Sequence, residues 1–363
     1  MYASLAPVGH ALYRRAFDDG DDGDVKRQLP GWAWMVILAD FVVFFPVVLY
    51  LGYTLNHIFP TLAIVEDPKP PAYEPVSLNE DTESLAEDNA APSAATKADD
   101  HSQAALVTSS LRRINRLLYS TAGWTANFRA IWCAVALSIA NGFAALIFSA
   151  IPFVPSFVGT LLASLLTVQI STAWTHAVIA VPSPKPWYRR LPPLRRTFEA
   201  TCFPIFAYWA ATTLGQAAPL LLASAMGMPV WDPKHPTEVP EYHGSTFWQS
   251  LVVLVVSLAV TVLLVIPSRV LLVRVQASLL PPEEDTIVPF DRSFEGAVEP
   301  ALVGGKGYVS MKDALKTFPL ASWRRLYVLF AKIVGASVAV YLVMSAIIVP
   351  EVLLMLKKST PAV

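Results

Sequence analysis

The chain has 363 residues, a length that in water would suggest two or three domains. Hydrophobic residues make up 54% of it and charged residues 15%, against about 25% charged in a soluble globular chain, and mean hydropathy is +0.48. No glycine period or heptad runs through the sequence, which excludes collagen and coiled coil and leaves an integral membrane protein.

In chain order, residues 1–30 read as a polar tail. Asp18, Asp19, Asp21, Asp22 and Asp24 stand where a cleavable signal would be basic and then apolar, and they also oppose a matrix-targeting presequence. A first transmembrane helix is expected over 31–60, with Asp40 as its one acid. Residues 61–105 hold ten acids against Lys69 and Lys97 and are rich in Pro, Ala and Ser. Such a stretch buries too little apolar surface to fold, so a disordered acidic loop is expected there. The rest of the chain is then net basic. From 106 to about 121, Leu106, Leu111, Ile114, Leu117 and Leu118 recur at helical spacing with Arg112, Arg113 and Arg116 between them. That pattern predicts a helix lying on the membrane surface.

Residues 130–184 contain no Asp, Glu, Lys or Arg and are too long for one span. Pro152 and Pro155 break them into two helices, giving one unit over 106–152 and the start of another over 153–231. The third unit, 242–356, holds the fifth and sixth spans, and a short tail follows over 357–363. Six spans place both termini on one side. The loops opposite carry sixteen Lys and Arg against seven on the terminal side, so the loop side is the positive one. Cys133 and Cys202 lie in apolar runs and read as core-filling residues.

An internal repeat of about 100 residues is visible by residue class. Ser110 and the basic segment before Trp124 can be laid on Ser310 and the segment before Trp323. Trp187, Arg189 and Arg190 precede the fourth span as Trp323, Arg324 and Arg325 precede the sixth. The fifth span ends on Pro267, Arg274 and Gln276, and Gly307 to Leu315 form a further loop-side segment. In these features the chain resembles the mitochondrial carrier family, whose odd helices end in Pro-x-[Asp/Glu]-x-x-[Lys/Arg], commonly continuing to Arg-x-Gln. Arg269 stands where that family has an acid and Leu272 where it has a base. Pro46 and Pro182 are the corresponding kinks in the first and third spans, and neither is followed by the charges. The resemblance implies an all-α membrane protein of six transmembrane helices, with three two-helix repeats in a carrier-like bundle. It also implies a mitochondrial membrane, inner or outer. It further implies that the ion network closing such a bundle is missing.

Ionisable and polar residues inside spans are the site candidates. Asp40 either pairs across the bundle or sits at headgroup level if the span begins near Met35. Gln169 and His176 make the third span its most polar stretch, for ligand contact or for helix packing. Arg269 and Lys332 complete the cavity candidates, with snorkelling as the alternative for Lys332. Arg112, Arg113, Arg189, Arg190, Arg195, Arg196, Arg324 and Arg325 are candidates for anionic headgroups. No catalytic constellation, metal-ligand spacing or cofactor motif occurs, so no enzyme activity, metal or cofactor is expected. Nucleic acid is not an expected partner.

Two functions follow. The first is a non-enzymatic scaffold or adaptor that binds anionic lipid through its basic loops and partner proteins through 61–105 and 1–30. The alternative is a transporter of a small, anionic solute. A bundle filled with Leu, Val and Phe favours the first; a water-filled central cavity reaching the midplane and lined by convergent polar groups favours the second.

Overall fold

The computed structural model describes residues 27–28, 30–67, 106–228, 246–299, 304–358 and 360–361. The expected disorder over 61–105 therefore lies outside the described residues from 68 onward, as does residue 1–26 of the N-terminal tail. Within the described residues the protein is an all-α membrane protein. Five helical runs are long and apolar enough to cross a bilayer, and a bent helix pair makes a sixth.

The first span, α1, runs Ala33–Val65. It extends beyond the expected end at 60, because Thr61–Val65 are fully buried and continue the helix into the core. Pro46 stays inside this helix, and a wide π segment follows over Tyr50–Ile58. Chain direction then reverses through α2 (Leu111–Ala122), whose Ile114 and Leu118 are buried while Arg112 and Arg116 face outward. The predicted amphipathic stripe is present, and its buried face packs on the bundle. Next come α3 (Ile131–Ser149), α4 (Ser156–Leu166) and α5 (Val168–Ile179).

Pro152 and Pro155 do form the tight turn between α3 and α4, with Phe153 at a positive φ of 72°. Gly159 allows that turn to close. A Cβ there would meet Ser149 Oγ at 2.5 Å and Ser149 N at 3.0 Å. The third span bends by 58° between α4 and α5, at Thr167. This corrects the expected kink at Pro182, which lies beyond the end of α5 in extended chain. Thr167 instead turns its hydroxyl back onto the Ala163 carbonyl at 2.9 Å, a bond known to bend helices.

The remaining spans are α6 (Leu194–Ala225), α7 (Thr246–Ser278) and, after the one-and-a-half-turn α8 (Met311–Lys316), α9 (Leu320–Lys357). Ser310 caps α8 by accepting from the Asp313 N–H at 3.2 Å. In α7 a π segment over Thr261–Val265 directly precedes Pro267. The Ile266 N–H already serves the Thr261 carbonyl, and Pro267 has no N–H to give Val262. Tyr327 of α9 supplies the missing donor, its hydroxyl 3.0 Å from the Val262 carbonyl.

The two chain ends meet. Arg27–Gln28 pair antiparallel with Thr360–Pro361, and the Lys358 ammonium lies 5.7 Å from the Trp32 ring centroid. That juxtaposition puts the start of α1 and the end of α9 at one end of the bundle, as an even number of crossings requires.

The core is concentrated at the opposite, loop-side end. Its main cluster joins Ile58, Phe59, Leu62 and Val65 of α1, Val178 and Ile179 after the bend, Val270, Val273 and Ala277 of α7, and Leu326, Leu329 and Ile333 of α9. The last turns of α1, α5 and α7 thus converge on one another. Toward the terminal end the helices separate and are apolar on every side: Phe41, Val42 and Val43 are 61%, 63% and 61% exposed in the isolated chain. Three consecutive helical residues point in directions about 100° apart, so lipid must surround this stretch.

Candidate functional site

Above the buried loop-side cluster lies a cavity of about 250 Å³. It is lined by Tyr53 and His57 of α1, Ser138 of α3, Ser171 and Trp174 of α5, Tyr208 of α6 and Arg269 of α7, among others. Five spans therefore contribute to one space, and most of the polar groups come from the converging odd-numbered spans.

Arg269 is placed by two prolines. Pro267 fixes the first turn of the helix after the π segment, and Arg269 follows two residues later. Across the bundle Pro60 offers no N–H to the preceding turn of α1, leaving that turn short of a donor. Arg269 Nη1 donates to the Asn56 carbonyl at 2.9 Å and Nη2 to the His57 carbonyl at 3.3 Å. A guanidinium carries five N–H donors, so these bonds leave donors for another acceptor. Among the described residues no carboxylate is ion-paired with it. The cationic charge in the cavity is held by neutral carbonyl dipoles alone.

Around it the other polar groups are fixed by one another. Tyr53 Oη donates to the Arg129 carbonyl at 2.7 Å and accepts from Trp174 Nε1 at 3.1 Å. The Trp174 ring stands edge-on to His57, with centroids 6.3 Å apart. Gln276 accepts from Thr175 Oγ1 at 2.6 Å and donates to Ser171 Oγ at 3.1 Å. Side chains locked in this way present a preorganised surface, which lowers the entropy lost when a ligand binds.

The floor beneath the cavity is closed by buried groups. Glu66, 1% exposed, and Arg325, 7% exposed, form an ion pair at 3.0 Å between the end of α1 and the start of α9. Glu66 also accepts from the Val107 N–H at 2.7 Å and from the Thr108 N–H and hydroxyl. The segment 285–290 runs across the ends of the helices. Val181 N–H donates to the Asp285 carbonyl at 2.8 Å, Ile287 N–H to Ile179 at 2.9 Å, and Asp67 N–H to Pro289 at 2.9 Å. Arg274 lies between the Phe294 and Phe318 rings at 4.9 and 5.1 Å and donates to Thr317 Oγ1 at 2.9 Å.

Of the sequence candidates for the cavity, Arg269 lines it. The other four are placed elsewhere. His176 is buried and donates through Nε2 to the Gln276 carbonyl at 2.8 Å, bracing α5 against α7. Gln169 donates to the Pro192 carbonyl at 2.7 Å, fastening the loop before α6. Lys332 reaches the Ser109 carbonyl at 3.0 Å on the loop side. Asp40 lies beside Glu351 of α9 near the terminal end, so its neighbour across the bundle is an acid and not a base.

The headgroup candidates also divide. Arg112, Arg189, Arg195 and Arg324 are exposed, and Arg113 is exposed while making an interaction of its own. Arg196 is exposed and donates to the Gly307 carbonyl at 2.7 Å. Arg190 makes a bidentate pair with Glu284, and Arg325 is buried against Glu66. Those two are structural, because each meets an acid brought from a distant loop or helix that its own sequence neighbourhood does not reveal.

Tyr53, His57, Trp174, Tyr208 and Gln276 were not singled out as cavity residues from sequence. The available signal was Asn56-His57 just ahead of Pro60. Pro60, and not Pro46, stands directly after a π segment as Pro267 does. No protein-family model, no characterised protein and no solved structure matches this chain.

Proposed function

We propose that this multi-pass membrane protein is a transporter of anionic solute, with the cavity between the odd-numbered spans as its binding site and Arg269 as the group that holds the anion. The observation carrying this reading is a guanidinium that lines a cavity with N–H donors to spare and is countered only by backbone carbonyls. A carboxylate or phosphate oxygen there gains charge-assisted bonds to Arg269 and neutralises its charge in a low-dielectric setting. Tyr208, His57 and Ser171 supply further polar contacts around it. The floor, closed by packed aliphatic side chains and the Glu66–Arg325 pair, is the barrier to the loop-side compartment. Alternating access then requires that this end open while the terminal end closes.

The scaffold reading draws on a different observation, the exposed Arg112, Arg189, Arg195 and Arg324 on the loop-side surface. It predicts binding of anionic membranes with no solute flux. Reconstitution into liposomes separates the two. The transporter reading expects protein-dependent uptake of a labelled carboxylate or phosphate ester from a panel, reduced at least tenfold by Arg269→Gln and partly retained by Arg269→Lys. Flux of no anion in the panel, with vesicle binding that depends on the surface arginines, sinks the transporter and leaves the scaffold.

A further inference from the structure

The cavity itself is small. At about 250 Å³ it lies below the roughly 300–1,000 Å³ usual for sites that enclose a whole drug-sized ligand. It accommodates a headgroup-sized fragment, and the rest of a larger ligand must extend toward the terminal end, since the loop-side floor is sealed.

The space in that direction is not built for water. Over Ala33–Leu49 of α1 the only charged residue is Asp40, and Phe41, Val42 and Val43 are exposed on successive faces. Tyr341, Leu342 and Val343 of α9, and Leu251 and Val252 of α7, repeat the pattern. A helix bordering an aqueous vestibule needs a continuous polar face, and on these stretches Asp40 is the only charged group. Hydrocarbon fills such a space without the cost of wetting it.

Among the described residues the terminal side is also open between helices. α3 and α4 pack closely, as do α6 and α7, and Trp209 of α6 stacks on Phe157 of α4 and donates to Thr160 Oγ1 at 3.0 Å. These four helices therefore form one wall. α1 and α9 form a separate pair, joined to that wall mainly at the loop side through Tyr53, Thr54 and Tyr327. Toward the terminal end, contact between α1 and α3 and between α7 and α9 is sparse.

From this geometry we infer that the ligand is an anionic amphiphile: its carboxylate or phosphate sits on Arg269, and its hydrocarbon tail leaves the cavity between the separated helices into the bilayer. The cavity wall matches both halves of such a molecule, with Arg269, Tyr208 and Ser171 for the head and Ala134, Leu137 and Leu272 for the first methylenes. This deepens the transporter reading and rests on it for the role of Arg269.

The test is photolabelling of the full chain in lipid nanodiscs, with two probes that carry a diazirine in the tail. One is a long-chain carboxylate and the other a monoacyl phosphate, so the arms distinguish the two head chemistries. Saturable labelling of peptides containing Leu137 or Leu272 is expected. Unlabelled long-chain ligand should block it at least tenfold more effectively than butyrate or glycerol phosphate of the same head. Arg269→Gln should reduce labelling at least tenfold and Arg269→Lys less. Because competition is measured on the unaltered protein, misfolding of a variant leaves the test intact. If the short, water-soluble anions block labelling as well as the long-chain ones, the amphiphile is overturned while an anion site at Arg269 stands. If neither probe labels saturably, yet liposomes take up a soluble anion, the amphiphile again falls alone. Absence of both overturns the amphiphile and the transporter together.

Discussion

The two ends of the bundle are made of the same kinds of residue and held by different forces. At the loop side, Phe59, Leu62, Val178, Val270 and Leu326 are buried against one another, and polar groups are paired inside the protein. At the terminal side equally apolar residues face outward, and the helices touch mainly in pairs. Apolar surface gains little by leaving lipid for protein, so apolar composition alone does not bring helices together in a membrane. Shape complementarity and satisfied polar groups do, and those are concentrated at the loop side.

The largest expected effects break that end. Phe59→Ala removes a fully buried ring and is expected to cost about 3–5 kcal/mol, read as a lowered midpoint of thermal unfolding in detergent. Arg325→Met strands a buried carboxylate and is expected to cost about 3–5 kcal/mol by the same measurement. Phe41→Ala, at the open end, is the contrast. Lipid or detergent replaces the lost ring contacts, so its midpoint should stay within the error of the unaltered chain. A loss at Phe41 equal to that at Phe59 would mean the terminal end is packed too.

Intermediate effects sharpen the comparison by touching single seams. Arg274→Lys keeps the charge and loses the flat stack between Phe294 and Phe318, at about 1–2 kcal/mol. Tyr327→Phe removes the donor that serves the Val262 carbonyl, one of the few ties between α7 and α9, at about 0.5–1.5 kcal/mol. Its more telling consequence is faster hydrogen exchange around Thr261–Val265, with no change around Phe59. Uniform protection at both places would show that the tie carries nothing.

The smallest effect is a pH dependence in the loop that leads from α7 to α8. Partial burial raises the Asp291 pKa, but the Ser293 hydroxyl, the N–H groups of Glu295 and Ser293, and nearby Arg274 together lower it more, so the carboxyl is held below its ordinary value. A carboxylate lowered on folding stabilises the folded loop above the unfolded pKa of about 3.9 and loses that contribution as pH falls through the folded value. Cleavage by an acid protease within 281–299 should therefore rise below about pH 4, and Asp291→Asn should show the faster cleavage above the folded pKa, with the difference closing as pH falls through it. A pH-independent rate in the unaltered chain would remove this role for Asp291.

Much of the architecture was legible in the residues. Charge-free runs, the turn at Pro152 and Pro155, and the amphipathic stripe of α2 are local patterns, and local patterns dictate helix, turn and surface helix directly. The bend at Thr167 was not legible, because a threonine hydroxyl that returns to its own helix leaves no periodic trace. Pro46 stays within its helix and Pro182 lies beyond the end of one, so proline position alone does not locate the bends. A proline marks this site because its missing N–H is answered by a residue from another helix, as the Asn56 carbonyl is answered by Arg269.

By itself, then, the sequence determined that this is an all-α membrane protein. Hydropathy and proline position act within one helix and need no partner. Only the tertiary structure decided which ionisable groups are structural and which are free. The fate of Arg325, Arg190 and Arg269 depends on acids and carbonyls 94 to 259 positions away in the chain. Electrostatic pairing acts through space, and helices that converge at one end and part at the other set those distances.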